Sequence, residues 1–111
     1  MKKDMDKDMK LLHNSFVGMK LAITMVTFLC LCSDKKELEK VCLKISDAHE
    51  KLQDSVQKAL DNRKTESSLI RRNAYTFLNK LDALKRLPAA KDKRLKTLIK
   101  DMQEATRELI A

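Results

Sequence analysis

From Leu38 to Ile110 the apolar residues recur at spacings of three and four, and this rhythm breaks at only two places. The first stripe is Leu38, Val41, Cys42, Ile45, Ala48, Leu52, Val56, Ala59 and Leu60. The second is Leu69, Ile70, Ala74, Phe77, Leu78, Leu81 and Leu84, with Tyr75 beside it. The third is Leu95, Leu98, Ile99, Met102, Ala105, Leu109 and Ile110. Residues so spaced share one face of an α-helix. The positions between them are mostly Lys, Glu, Asp and Gln, so each helix has a wet face and a dry stripe and needs neighbours to cover the latter. Asp47–Lys51 and Asp54–Lys58 add acid-to-base pairs at i,i+4 in the favourable direction. At the first break stand Asn62, Thr65, Ser67 and Ser68, all suited to caps and turns. At the second stands Leu87-Pro88. A proline disfavours the helical conformation in the residue before it and suits the first turn of the helix that follows.

The chain has one glycine and one proline, and its aromatics are three phenylalanines and one tyrosine. Strand-rich folds need frequent turn residues and aromatic or β-branched runs, so this composition points away from them. The expectation is an all-α fold with helices over about 34–61, 67–87 and 89–110. Short connections make an antiparallel three-helix bundle the simplest way to bury three stripes, with a helical hairpin that dimerises as the alternative.

Upstream of this body lies a different kind of segment. Lys20 leads a charge-free run, Leu21-Ala22-Ile23-Thr24-Met25-Val26-Thr27-Phe28-Leu29-Cys30-Leu31, and charge returns at Asp34, Lys35, Lys36 and Glu37. A basic flank, a short apolar core and an abrupt end outline a secretion signal. The chain accordingly divides into a charged extension, 1–18, a signal-like segment, 19–31, and a helical body, 32–111. Asp4, Asp6 and Asp8 are foreign to a signal, which makes Met19 the alternative start of translation. Cys32, where the apolar run stops, is the candidate acylation site. Two other readings stay open. The segment could be a membrane span, although Lys20 and Gly18 interrupt it, or a buried helix of a cytosolic protein.

Little in the sequence suggests catalysis. With Gly18 alone there is no glycine-rich phosphate loop, and the cysteines at 30, 32 and 42 have no zinc-ligand spacing. His49 has no partner histidine one turn away and reads as a boundary residue of the bundle. Cys42 reads as a small buried hydrophobe. No enzyme, metal or cofactor is expected. The net charge of +8 is the remaining clue. Arg71 and Arg72 open the second helix, Lys85 and Arg86 close it, and Lys91, Lys93, Arg94, Lys96 and Lys100 follow around the turn. These residues make a candidate cationic patch for a sulfated glycan, an anionic lipid or nucleic acid, with Asp82, Asp92 and Asp101 interspersed.

Leu29-Cys30-Leu31-Cys32-Ser33-Asp34, followed by a charged all-helical body, resembles the small helical surface lipoproteins of spirochaetes, the plasmid-encoded Borrelia type that includes the orf-D family. Signals of that type are similar in tolerating loose residues before the cysteine. The resemblance implies an outer-membrane or cell-surface location, a binding or immune-facing role and no catalytic residues. The resulting expectation is a lipid-anchored surface or periplasmic helical binding protein. Its membrane contact would run through acylated Cys32, and its partner would be an anionic ligand, a host or other protein, or a second copy. The alternatives are a cytosolic basic helical protein that binds nucleic acid or a protein, and a small single-span membrane protein.

Overall fold

The computed structural model describes residues 5–29, 34–62 and 67–111. Four helices occur among them: α1, Met5–Phe28; α2, Lys35–Asn62; α3, Ser67–Lys85; and α4, Lys93–Ile110. A 3-10 turn, Pro88–Lys91, joins the last two. No strand occurs among the described residues. The all-helical expectation therefore holds, but the helices number four where three were expected.

The additional helix is α1. Met9, Leu12, Phe16, Met19, Ile23 and Val26 are all buried, and they alternate spacings of three and four. That is the seam pattern of helices packed at a shallow angle. Leu12 and Met19 are completely covered, and each such side chain contributes about 1.5–3 kcal/mol of transfer free energy. The buried face was hard to see in the sequence because the opposite face of the same segment is also apolar. The extension and the signal-like segment form one continuous helix through residues 18 and 19.

Successive helices run antiparallel. On α1, His13 and Phe16 meet His49 of α2. Asn73 on α3 donates from Nδ2 to the Lys51 carbonyl of α2 at 3.3 Å. Gln103 on α4 donates to Asp82 of α3 at 3.3 Å. The first and last helices close the bundle. Arg94 Nη1 lies 3.6 Å from Met25 Sδ, and a Cβ added at Gly18 would stand 3.1 Å from Leu98 Cδ2. Gly18 thus marks a close approach of α1 to α4, where an added Cβ would require the Leu98 side chain to give slightly. The bundle measures 45 × 21 × 19 Å, and its length matches α2, whose 28 residues span about 42 Å.

The third stripe starts later than expected. Leu87 is extended (φ −77°, ψ 146°), as the residue before a proline prefers, and Pro88 enters a 3-10 turn instead of α4. Asp92 then caps α4, its Oδ1 accepting the N–H groups of Arg94 at 2.9 Å and Leu95 at 3.2 Å. Asp34 precedes α2, its carbonyl accepting the Leu38 N–H at 2.9 Å, and its side chain reaches across the bundle end, where Oδ2 accepts the Ala89 N–H at 3.5 Å. Buried hydroxyls are satisfied locally, Ser55 by the Leu52 carbonyl and Thr106 by the Met102 carbonyl.

Candidate functional site

The antiparallel crossing of α3 and α4 leaves a cleft at the corner where the 3-10 turn joins them. Its volume is about 720 Å³, within the range of about 300–1,000 Å³ common for small-molecule sites. Lys85 and Arg86 border it from the end of α3, Lys91 from the 3-10 turn, and Lys96 and Lys100 from successive turns of α4. All five are exposed. Beneath them lie Ala90 and Ile99, both buried, and the half-buried Leu87, with Pro88 at the lip. Gln103, hydrogen-bonded to Asp82, ends the lining, which contains no carboxylate. The cations at the end of α3 have a structural use as well, since positive charge there opposes the negative end of the helix dipole.

The structure divides the patch read from the sequence. Lys85, Arg86, Lys91 and Lys96 come together around the cleft. Lys93 and Arg94 are exposed in the first turn of α4 but do not line it, and Arg94 turns instead toward Met25 on α1. Arg71 and Arg72 lie near the opposite end of the bundle, with Arg72 about 20 Å along α3 from Lys85 at a rise of about 1.5 Å per residue. Sequence reading missed the apolar bed of Leu87, Pro88, Ala90 and Ile99. The only signal for it was the Leu-Pro break, which forces the turn that opens the corner.

His49 is in the core and not at its boundary, with 4 % of its surface exposed. Counting α1 as a bundle helix explains the difference, because α1 covers it. Its ring stacks on Phe16 at 4.1 Å between centroids and 7° between planes, and Phe77 lies 6.0 Å away on α3. Nε2 has no hydrogen-bond partner among the described residues. Burial, and then the neighbouring His13 and Lys20, push its pKa from 6.5 down to about 4, so the ring is neutral at pH 7. Lys20 also places its ammonium 5.6 Å from the centre of the Phe16 ring. Cys42 is half-buried, and burial raises its pKa against the opposing effects of Lys20 and a Ser46 hydrogen bond. Such a thiol is protonated and unreactive at neutral pH. No group of His, Cys, Asp and Glu side chains suited to a metal occurs among the described residues.

The candidate acylation site, Cys32, lies outside the described residues. Of its surroundings, α1 is described. It is the one helix among the described residues long and apolar enough to cross a membrane. Its outer face carries Leu11, Val17, Leu21, Met25 and Phe28, all exposed, and Leu29 follows in the turn after it. Elsewhere among the described residues the exposed large hydrophobics are Leu43, Leu60 and Tyr75. No family model, no curated protein and no solved structure matches this chain.

Proposed function

We propose that this chain is a non-catalytic helical binding protein held at a membrane surface, anchored through acylated Cys32 at the cell exterior, with the basic corner of α3 and α4 as its site for an anionic ligand. One observation carries the reading. From Leu21 to Leu29 the chain is apolar on its buried face, at Ala22, Ile23 and Val26, and on its exposed face, at Leu21, Met25, Phe28 and Leu29. Exposed apolar residues scattered singly need no partner, but a contiguous row of them is a surface that a bilayer or a translocation channel would cover. The apolar part of α1, 18 residues from Leu11 to Phe28 with Lys20 among them, extends about 27 Å, close to a hydrocarbon layer of about 30 Å. A single acyl chain binds membranes only marginally, so a multiply acylated cysteine, or an acyl chain assisted by retained apolar helix, suits stable attachment.

The test is palmitate labelling with detergent-phase partitioning of the wild type against Cys32→Ser. Label on the wild type alone, together with its transfer to the detergent phase, is the expected result. An unlabelled, full-length protein in the aqueous phase would overturn the proposal. That outcome would favour a second reading, a soluble four-helix binding protein whose α1 is a core element. The complete burial of Leu12 and Met19 supports this second reading.

A further inference from the structure

We infer that the cleft between α3 and α4 takes a single-chain anionic amphiphile: one alkyl chain with a carboxylate, phosphate or sulfate head. The inference rests on the reading above that this corner binds an anionic ligand, and it names the ligand's chemistry. Two features of the cleft act on different parts of one molecule. Lys85, Arg86, Lys91, Lys96 and Lys100 surround the opening with no carboxylate in the lining to neutralise them, so the mouth selects negative charge. The depth is largely apolar, formed by Leu87, Ala90 and Ile99, with Gln103 the buried polar side chain in the lining. A bare polyanion such as a sulfated glycan would leave that depth empty, and a neutral hydrocarbon would leave the cations unanswered. A molecule with one charged end and one apolar end satisfies both.

The position of the cleft points to a membrane as the source. Through the Ala89 N–H, the Asp34 carboxylate ties the start of α2 to the 3-10 turn that supplies Pro88, Ala90 and Lys91. The end of α1 lies there too, with Met25 against Arg94. The cleft therefore opens at the end of the bundle where α1 ends and α2 begins, and an anchor at Cys32, in the chain between Leu29 and Asp34, would hold it beside the lipid headgroups. A lipid drawn partly from the bilayer would place its head among the lysines and its chain on the apolar bed.

The experiment is a fluorescence titration of the full-length chain with cis-parinaric acid, with displacement by monomeric lysophosphatidylglycerol, dodecanol or inorganic phosphate. The expected result is saturable binding displaced by the lysophospholipid and by neither of the others. Lys96→Glu combined with Lys100→Glu should weaken binding about tenfold or more, since charge-assisted contacts become repulsions. Arg86→Glu with Lys91→Glu, on a different element, should do the same, which guards against a folding defect in either variant. Arg71→Glu with Arg72→Glu, at the far end of the bundle, should change binding by less than about twofold because screening confines the effect. Parinarate bound equally well by both cleft variants would overturn the inference. Retention of the wild type, but not of the cleft variants, on heparin without any parinarate binding would also overturn it, while leaving the anionic-ligand reading intact. Failure to bind either probe would remove both.

Discussion

The helices α1 and α4 pack against each other, yet they are built on opposite plans. In α4, Leu95, Ile99, Met102, Ala105 and Leu109 face inward, while Lys96, Lys100, Asp101, Glu104, Arg107 and Glu108 face out. Inside and outside are chemically distinct, so α4 has one orientation in which it can dock. In α1 the inward row of Leu12, Phe16, Met19 and Ile23 is answered by an outward row of Val17, Leu21, Met25 and Phe28. The contrast shows that burial of one face does not account for the composition of the other. The outer face of α4 is polar, as contact with water favours, whereas that of α1 leaves Val17, Leu21, Met25 and Phe28 exposed beside Lys20 and Thr24.

Core truncation in both helices gives the largest effect and would break the comparison most directly. Leu12→Ala on α1 and Met102→Ala on α4 should each cost about 2–5 kcal/mol in urea unfolding of the full chain, since both side chains are fully buried. If Met102→Ala costs this much and Leu12→Ala costs nothing, α1 is a passenger on the bundle, and the two helices differ in kind as well as in composition.

A smaller effect concerns the histidine that α1 covers. The His49 pKa falls from 6.5 to about 4 on folding, so protonation favours the unfolded chain. The stability linked to His49 is fully present above about pH 6.5 and is lost as the pH falls toward 4, by an amount on the order of 2 kcal/mol. His49→Phe keeps a ring against Phe16 and removes the unpartnered Nε2, so it should flatten this part of the pH profile of the melting temperature. A profile unchanged by His49→Phe would mean that α1 does not seal the site.

The smallest effect on stability should come from the outer row. Leu21→Gln, Met25→Gln and Phe28→Gln together should shift unfolding by no more than about 0.5 kcal/mol per site, as surface substitutions usually do. The same variant, with Cys32 intact, should enter the detergent phase less completely than the wild type. Retained partitioning would assign membrane attachment to something other than the outer face of α1.

Much of this fold was legible in the chain, and what was hidden has identifiable physical causes. The stripes of α2, α3 and α4 could be read because charged residues occupy the positions between them. The seam of α1 could not, because Leu21, Met25 and Phe28 fill the positions that would have outlined it. Overlooking α1 as a packing partner also misplaced His49, which lies at the edge of its own helix's stripe but beneath a neighbour. In the candidate site, the cations Lys85 to Lys96 were legible as a cluster because they flank one turn. Arg71 and Arg72 belong to the same helix but to its other end, and residue type alone does not reveal that distance. The apolar bed stayed hidden because Ala90 and Ile99 look like ordinary core residues until the Leu87-Pro88 turn holds the corner open.

The contact between Asp34 and Ala89 brings Lys35 and Lys36 to the end of the 45 Å body that carries Lys85, Arg86, Lys91, Lys93 and Arg94, with Glu37, Asp82 and Asp92 among them, while Asp6, Asp8, Arg71 and Arg72 stand toward the other end. At physiological ionic strength the screening length is about 8 Å, so an anionic surface acts on the near end of such a body and scarcely on the far one. The charges at the two ends therefore act independently, and a charged partner that meets the corner of α3 and α4 is felt by the residues of that corner and scarcely by Arg71 and Arg72.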